Sequence, residues 1–179
     1  MCGGCAPRSG PPVSSIPLGA MANRIGDVFR FSAIEGATVY FQYVAKDLSQ
    51  LGSHVIRVFP PIHGTDKASQ VESIVAAPVQ FHVHVALGVG TRHGVWEKIG
   101  RAPVRGPVDV LFRQADEPGN LPKSSSNWVI WTVNSPRRRT SRITQSVRSA
   151  EIGIVVNPFS VLHRVRQGSY DFAYPDFEQ

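Results

Sequence analysis

His82 and His84 are separated by a single valine. In an extended strand that spacing sends both imidazoles to one face, where they could approach one ion. A zinc or iron site needs further ligands. The usual β-barrel metal pattern places a carboxylate a few residues after the pair, but positions 85–91 read Val-Ala-Leu-Gly-Val-Gly-Thr. His54, His63, His93 and His163 are not spaced to help locally. The pair therefore reads as the solvent face of a half-buried strand, and neither a metal nor a cofactor is expected.

Other chemistry finds less. Cys2-Gly-Gly-Cys5 has redox or half-zinc-site spacing, yet no second ligand pair follows it. A Gly-x-Ser-x-Gly nucleophile turn is missing from the sequence. Gly88-Val-Gly90 lacks the Lys-Ser/Thr of a phosphate loop. Asp27, Asp109, Asp116 and Glu117 show no local pairing that suggests acid–base work. These observations point away from an enzyme.

The charge is concentrated. The chain carries 19 basic and 13 acidic residues, a formal +6. Arg137, Arg138, Arg139, Arg142 and Arg148 fall in one twelve-residue stretch without an acid; outside it, 14 basic residues face 13 acidic ones. A near-neutral body with one basic segment is not the spread-out field of a general nucleic-acid binder. Trp128 and Trp131 precede the segment. Arginine forks grip phosphates and carboxylates, and aromatic faces can stack on bases. The two tryptophans are three apart, so a strand sends them to opposite faces: one is expected in the core and the other at the surface. Residues 135–140 read as a solvated hairpin tip. Arg137, Arg138, Arg139, Arg142 and the exposed member of Trp128 and Trp131 are the candidate partner contacts.

The elements that position these residues are mostly strands. Ile25–Phe31, Ala37–Ala45, His54–Phe59, Pro78–Val89, Val108–Phe112, Trp128–Val133, Ile152–Val156 and Val161–Val165 are short β-rich runs bounded by Gly, Pro, Asn and Ser. Glu35-Gly36 reads as a hairpin turn. Thr65–Ala76 is the best helix candidate, with Thr65 as N-cap and Val71, Ile74 and Val75 at i, i+3, i+4 of the later residues; residues 147–152 suggest one more turn. The reading is a mainly β (α+β) single domain over 24–179, an antiparallel sheet or partly open barrel with one or two short helices. Residues 1–23, rich in Pro and Gly, read as a flexible leader, with a start-site artefact as the plainer alternative: translation from Met21 would give a 159-residue chain without cysteine. No apolar run approaches the roughly 18–20 residues of a membrane helix.

Several fragments, in order, resemble the immunity protein 26 family of bacterial polymorphic-toxin systems. They are Ile25-Gly-Asp27-Val-Phe29 followed by Tyr40-Phe-Gln-Tyr43; Gly94-Val-Trp96-Glu-Lys-Ile-Gly100 leading to Pro103; Leu111-Phe112-Arg113 ahead of Trp128-Val-Ile-Trp131; and Arg164-Val-Arg-Gln-Gly168-Ser-Tyr170-Asp171. The resemblance spans most of 25–175. It implies a small cytoplasmic protein that binds and neutralises a cognate protein toxin, without chemistry of its own. The positive charge departs from the acidic nucleic-acid mimicry common among nuclease inhibitors, and suits a toxin with an acidic surface.

Three readings follow. The leading one is a noncatalytic toxin-neutralising immunity protein, cytoplasmic, without membrane or nucleic-acid partners and of open oligomeric state. The second is a nucleic-acid-binding β-barrel module using residues 137–148. The third is a metal-dependent β-barrel enzyme around His82 and His84.

Overall fold

The computed structural model describes residues 22–63, 70–116 and 122–178. Along the chain run β1 (Asp27–Ile34), β2 (Ala37–Asp47), β3 (Ser53–Val58), β4 (Ile62–His63), α1 (Val71–Ala76), β5 (Phe81–Val85), α2 (Leu87–Arg92) and β6 (Glu97–Arg101). Then come β7 (Leu111–Ala115), β8 (Ser124–Ser125), β9 (Trp128–Thr132), β10 (Arg138–Thr140), α3 (Gln145–Arg148), β11 (Glu151–Ile152), β12 (Val155–Val156), α4 (Pro158–Gln167) and β13 (Asp176–Phe177).

The molecule is mainly β and, as expected, small and built as one domain; the described strands form open sheets rather than a closed barrel. The larger sheet has the order β12-β5-β3-β2-β1-β6, with β4 also on β2. The smaller has the order β10-β9-β7-β11, and β13 pairs with β8. Pairing is antiparallel except for β11–β7, β12–β5 and β13–β8.

Strand alternation explains the layers. On one face of the larger sheet Phe29 and Phe41 stand opposite each other, as do Phe31 and Val39, and Tyr43 and Ile56. The Phe29 and Phe41 rings stack at 4.9 Å, and Trp96 and Phe41 meet in a T-shaped pair at 5.0 Å. Val161 and Val165 of α4 cover this face. The other face is divided. Val28, Tyr40 and Phe59 pack under Ile74 and Val75 of α1; Val44 and Val55 pack against Phe112, Val129 and Trp131 of the smaller sheet. Between these zones lies a cross-strand row, Gln42–Arg57–His82. The Arg57 guanidinium donates to Gln42 Oε1 at 2.6 Å, and the Gln42 amide donates to the carbonyls of Ala102 (2.8 Å) and Gly26 (3.2 Å). The Gln42 amide and one arm of the Arg57 guanidinium thus find partners inside the sheet interface, while Arg57 Nε is buried without one.

The structure corrects several expectations. The strand expected over 78–89 ends at Val85, and the chain turns into α2. Gly90 there lies directly under the Trp96 ring, an approach that a Cβ would block. The strand expected at 161–165 is the middle of α4. Asn157 Oδ1 accepts from the Phe159 amide at 2.8 Å, Pro158 occupies the first turn, and Gly168 closes the helix at φ 77°. Val161 and Val165 are helical i, i+4 partners, not strand neighbours. The strand expected at 152–156 is two short pieces in different sheets, linked by Gly153 and Ile154. The first helix begins at Val71; Thr65, the expected cap, lies outside the described residues, as do residues 1–21 with both cysteines. The expected turn at 147–152 forms slightly earlier, as α3.

Candidate partner-binding surface

The arginine segment follows β9 in a hairpin whose second strand, β10, is the edge of the smaller sheet. Arg138 and Arg139 therefore lie on a strand rather than at a hairpin tip. The tip, residues 133–137, is clamped to the β2–β3 loop. Asn134, at φ 59°, accepts from the Leu48 amide at 2.8 Å and donates to the Lys46 carbonyl at 3.0 Å; Gln50 donates to the Ser135 carbonyl at 2.8 Å. These bonds fix the base from which the arginines project.

Arg137, Arg138, Arg139 and Arg142 are all exposed. Arg139 pairs with Asp116 at 2.7 Å, and the Arg137 guanidinium lies over the Trp131 ring at 5.2 Å. Among the described residues no carboxylate pairs with Arg137, Arg138 or Arg142. A shallow groove of about 360 Å³ runs along the strand, lined by Leu111, Ile130, Arg138, Arg142 and Val147.

Trp128 and Trp131 do point to opposite faces, but both are buried, so neither is a surface contact. The smaller sheet is covered on both sides. On one, the Trp131 indole donates to Asp47 Oδ2 at 3.1 Å beside Phe112. On the other, Trp128 packs on Phe177 at 4.7 Å and donates to the Ser125 carbonyl at 3.1 Å. The C-terminal segment that covers this second side folds back from far along the chain, which spacing within one strand does not reveal.

A second basic region is invisible in local spacing. A cavity of about 430 Å³ opens between α3, β11 and residues 168–176. Its lining includes Arg113, Arg148, Arg164, Glu151, Tyr170 and Tyr174. Arg164 donates from Nη1 to Glu151 (2.7 Å) and to the Tyr170 hydroxyl (2.8 Å), and its guanidinium lies over Phe81 at 4.0 Å. Arg113 lies over Phe177, Trp128 and Tyr174 at 4.4, 4.8 and 5.5 Å. The fragment 164–171 holds two of these groups, but their meeting with Arg113 and Arg148 depends on the tertiary fold.

The two histidines share a face, as expected, yet His84 is completely buried rather than on the solvent side. The smaller sheet sits on top of it. Its Nδ1 lies 2.9 Å from Ser53 Oγ and its Nε2 3.6 Å from Asp47 Oδ2, with the Phe112 ring at 4.2 Å. Asp, His and Ser are the residue types of a hydrolytic triad, but Asp47 and His84 have no solvent exposure through which a substrate could arrive. Burial lowers the His84 pKa to about 4 against the opposing pull of Asp47. Burial, with help from Arg57, lowers that of His82 to about 4. Both are neutral at pH 7. Among the described residues no three His, Cys, Asp or Glu side chains gather in a metal-holding group, and no helix is long and apolar enough to cross a membrane.

No protein-family model matches the chain, and no curated protein or solved structure is significantly similar to it.

Proposed function

We propose that the chain is a noncatalytic binding protein that neutralises a cognate bacterial toxin in the cytoplasm by covering it, the role that the resemblance to the immunity protein 26 family implies. The observation that carries this reading is the exposed arginine edge, with Arg138 and Arg139 on β10 and Arg137 and Arg142 flanking it, on a hairpin that is pinned at its turn and backed by a packed sheet. Such a rigid, one-signed surface suits an acidic protein face: it steers encounter and limits the entropy lost on contact.

The nucleic-acid reading loses its stacking partners, because Trp128 and Trp131 both lie inside the fold. The metal-enzyme reading loses support because His84 is engaged by Ser53 beside Asp47, away from solvent.

The test is co-expression with a toxin encoded beside this gene. The chain is expected to restore growth and to co-purify with the toxin, and the double variant R138E/R142E to do both poorly. Failure of the wild-type chain to rescue or bind that toxin overturns the proposal.

A further inference from the structure

The cavity beside α3 holds hydrogen-bond donors that the fold does not use. Arg113 enters from β7, and its Nε donates to the Ala150 carbonyl at 3.3 Å. Its Nη1 is buried and has no acceptor. Arg148, exposed at the rim, has its guanidinium over the Phe177 ring at 5.2 Å and forms no ion pair among the described residues. Tyr170 accepts from Arg164, so its own O–H is left to donate; burial pushes its pKa up to about 12, which keeps that proton in place. Tyr174, by contrast, already donates to the Arg113 carbonyl at 3.0 Å.

The lining carboxylates do not cancel this. Glu151 is bound by Arg164 and accepts from the His82 amide at 3.2 Å. Asp176, exposed on β13, lies near Arg113 but within no ion-pair distance of it. Arg113, Arg148 and Arg164 against Glu151 and Asp176 leave one positive charge in excess. Arg113 is half-buried without a bonded counter-ion, so a ligand that supplies acceptors beside it gains hydrogen bonds that the free protein leaves unmade.

We propose that this cavity is a binding site for an oxyanion group, carboxylate or phosphate, received by Arg113, Arg148 and the Tyr170 hydroxyl. Planar guanidinium forks and a phenol suit such a group because each aims donors at oxygen lone pairs. The cavity is larger than a bare oxyanion and falls within the size range of small-ligand pockets. Its aromatic wall, Tyr170 stacked on Phe172 at 4.9 Å, offers a place for the body that carries the charge. Arg113 shares a cross-strand row with Ile130 and Arg138, so the cavity and the arginine strand belong to the same sheet face. The anion therefore has two sources: a free small molecule, or an acidic side chain on a partner seated along that strand. The site stands independently of toxin neutralisation.

The experiment is an amide NMR titration of the full chain at low salt. The probes are inorganic phosphate, glutarate and a short glutamate-rich peptide. Saturable shifts centred on residues 149–152 and 168–176 are expected for at least one probe, with affinity weakened about 5-fold or more in R148Q and in Y170F, in line with the loss of a charge-assisted or buried hydrogen bond. Wild-type circular dichroism in both variants establishes that they fold, and R148K restores part of the affinity. Phosphate preferred over glutarate supports a free phosphate ligand. Peptide binding tighter than glutarate, and dependent on Arg138, supports an acidic partner side chain. The absence of saturable shifts with every probe overturns the site. Equal affinity in R148Q, Y170F and wild type also overturns it, and marks an adventitious ion only.

Discussion

The indole of Trp131 donates to Oδ2 of Asp47 at 3.1 Å, joining the smaller sheet to the end of β2 in the larger one. The same carboxylate gathers other donors. Oδ1 accepts from Ser49 Oγ (3.1 Å) and from the amides of Gln50 (3.3 Å) and Asn134 (3.4 Å). One buried acid thereby fixes the β2–β3 loop, the β9–β10 turn and the packing of two sheets. Asp47→Ala removes the acceptor and strands these donors, Trp131 Nε1 in the interior among them. The expected loss is about 3–5 kcal/mol, at the high end for a single buried polar group. Urea denaturation with an unchanged m-value measures it; a loss below about 1 kcal/mol contradicts the role.

Gly153 and Gly90 make a second test of packing. A Cβ at Gly153 would run into the Trp131 ring, and one at Gly90 into Trp96. Neither indole can withdraw freely: Trp131 is tied to Asp47, and Trp96 donates to the Leu87 carbonyl at 3.1 Å. Gly153→Ala and Gly90→Ala should each cost about 1–3 kcal/mol or more through overpacking. Gly36→Ala meets nothing within 4 Å, so its cost arises from its φ of 69° alone, about 1 kcal/mol. Thermal unfolding of the three variants should rank them in that order.

These packing sites mark the boundary of what the sequence reveals. The β1–β2 hairpin was legible because Phe29, Phe31, Val39, Phe41 and Tyr43 alternate around a Glu-Gly turn. Helix α4 was hidden because Val161, Val165 and their neighbours have strong β propensity, although Asn157-Pro158 and Gly168 carry the start and stop signals. Tertiary closure, not local pattern, buries His84 and Trp128. Each looks half-exposed in its own strand, and each is covered by a segment distant in sequence. The arginine strand was legible as charge; the arginine–tyrosine cavity was not, since its members come from β7, α3, α4 and the C-terminal segment.

The buried histidines predict an acid-labile fold. An unfolded histidine takes up its proton near pH 6.5, whereas His82 and His84 in the fold do so near pH 4. As pH falls from 6.5 toward 4, the unfolded chain binds protons that the folded one refuses, so stability is full above 6.5 and drains through that window. Each histidine contributes up to about 3 kcal/mol to this loss. Urea midpoints at pH 7 and 4.5 should differ accordingly. His82→Gln, half-buried and without the Ser53 and Asp47 contacts of His84, should flatten the slope by about half of the histidine share. An unchanged slope in that variant assigns the acid sensitivity elsewhere.

The arginine edge predicts a separation of stability from binding. Arg139 and Asp116 form an ion pair in which the arginine side chain is 82% exposed, so solvent screens it heavily. Arg138 and Arg142 have no acid to lose. Replacing Arg138, Arg139 and Arg142 by glutamine should therefore leave the unfolding midpoint nearly unchanged. The same variant should associate with an acidic partner about 10-fold more slowly at low ionic strength, because the steering field is gone while the packed scaffold remains. Raising the salt should slow the wild type toward the variant, as screening beyond roughly 8–10 Å removes the same field. Stopped-flow association across a salt series separates the alternatives. Convergence of the two rates at high salt supports electrostatic steering. A constant ratio means that the arginines act through short-range contacts in the bound complex, and equal rates at every salt place the partner on another surface.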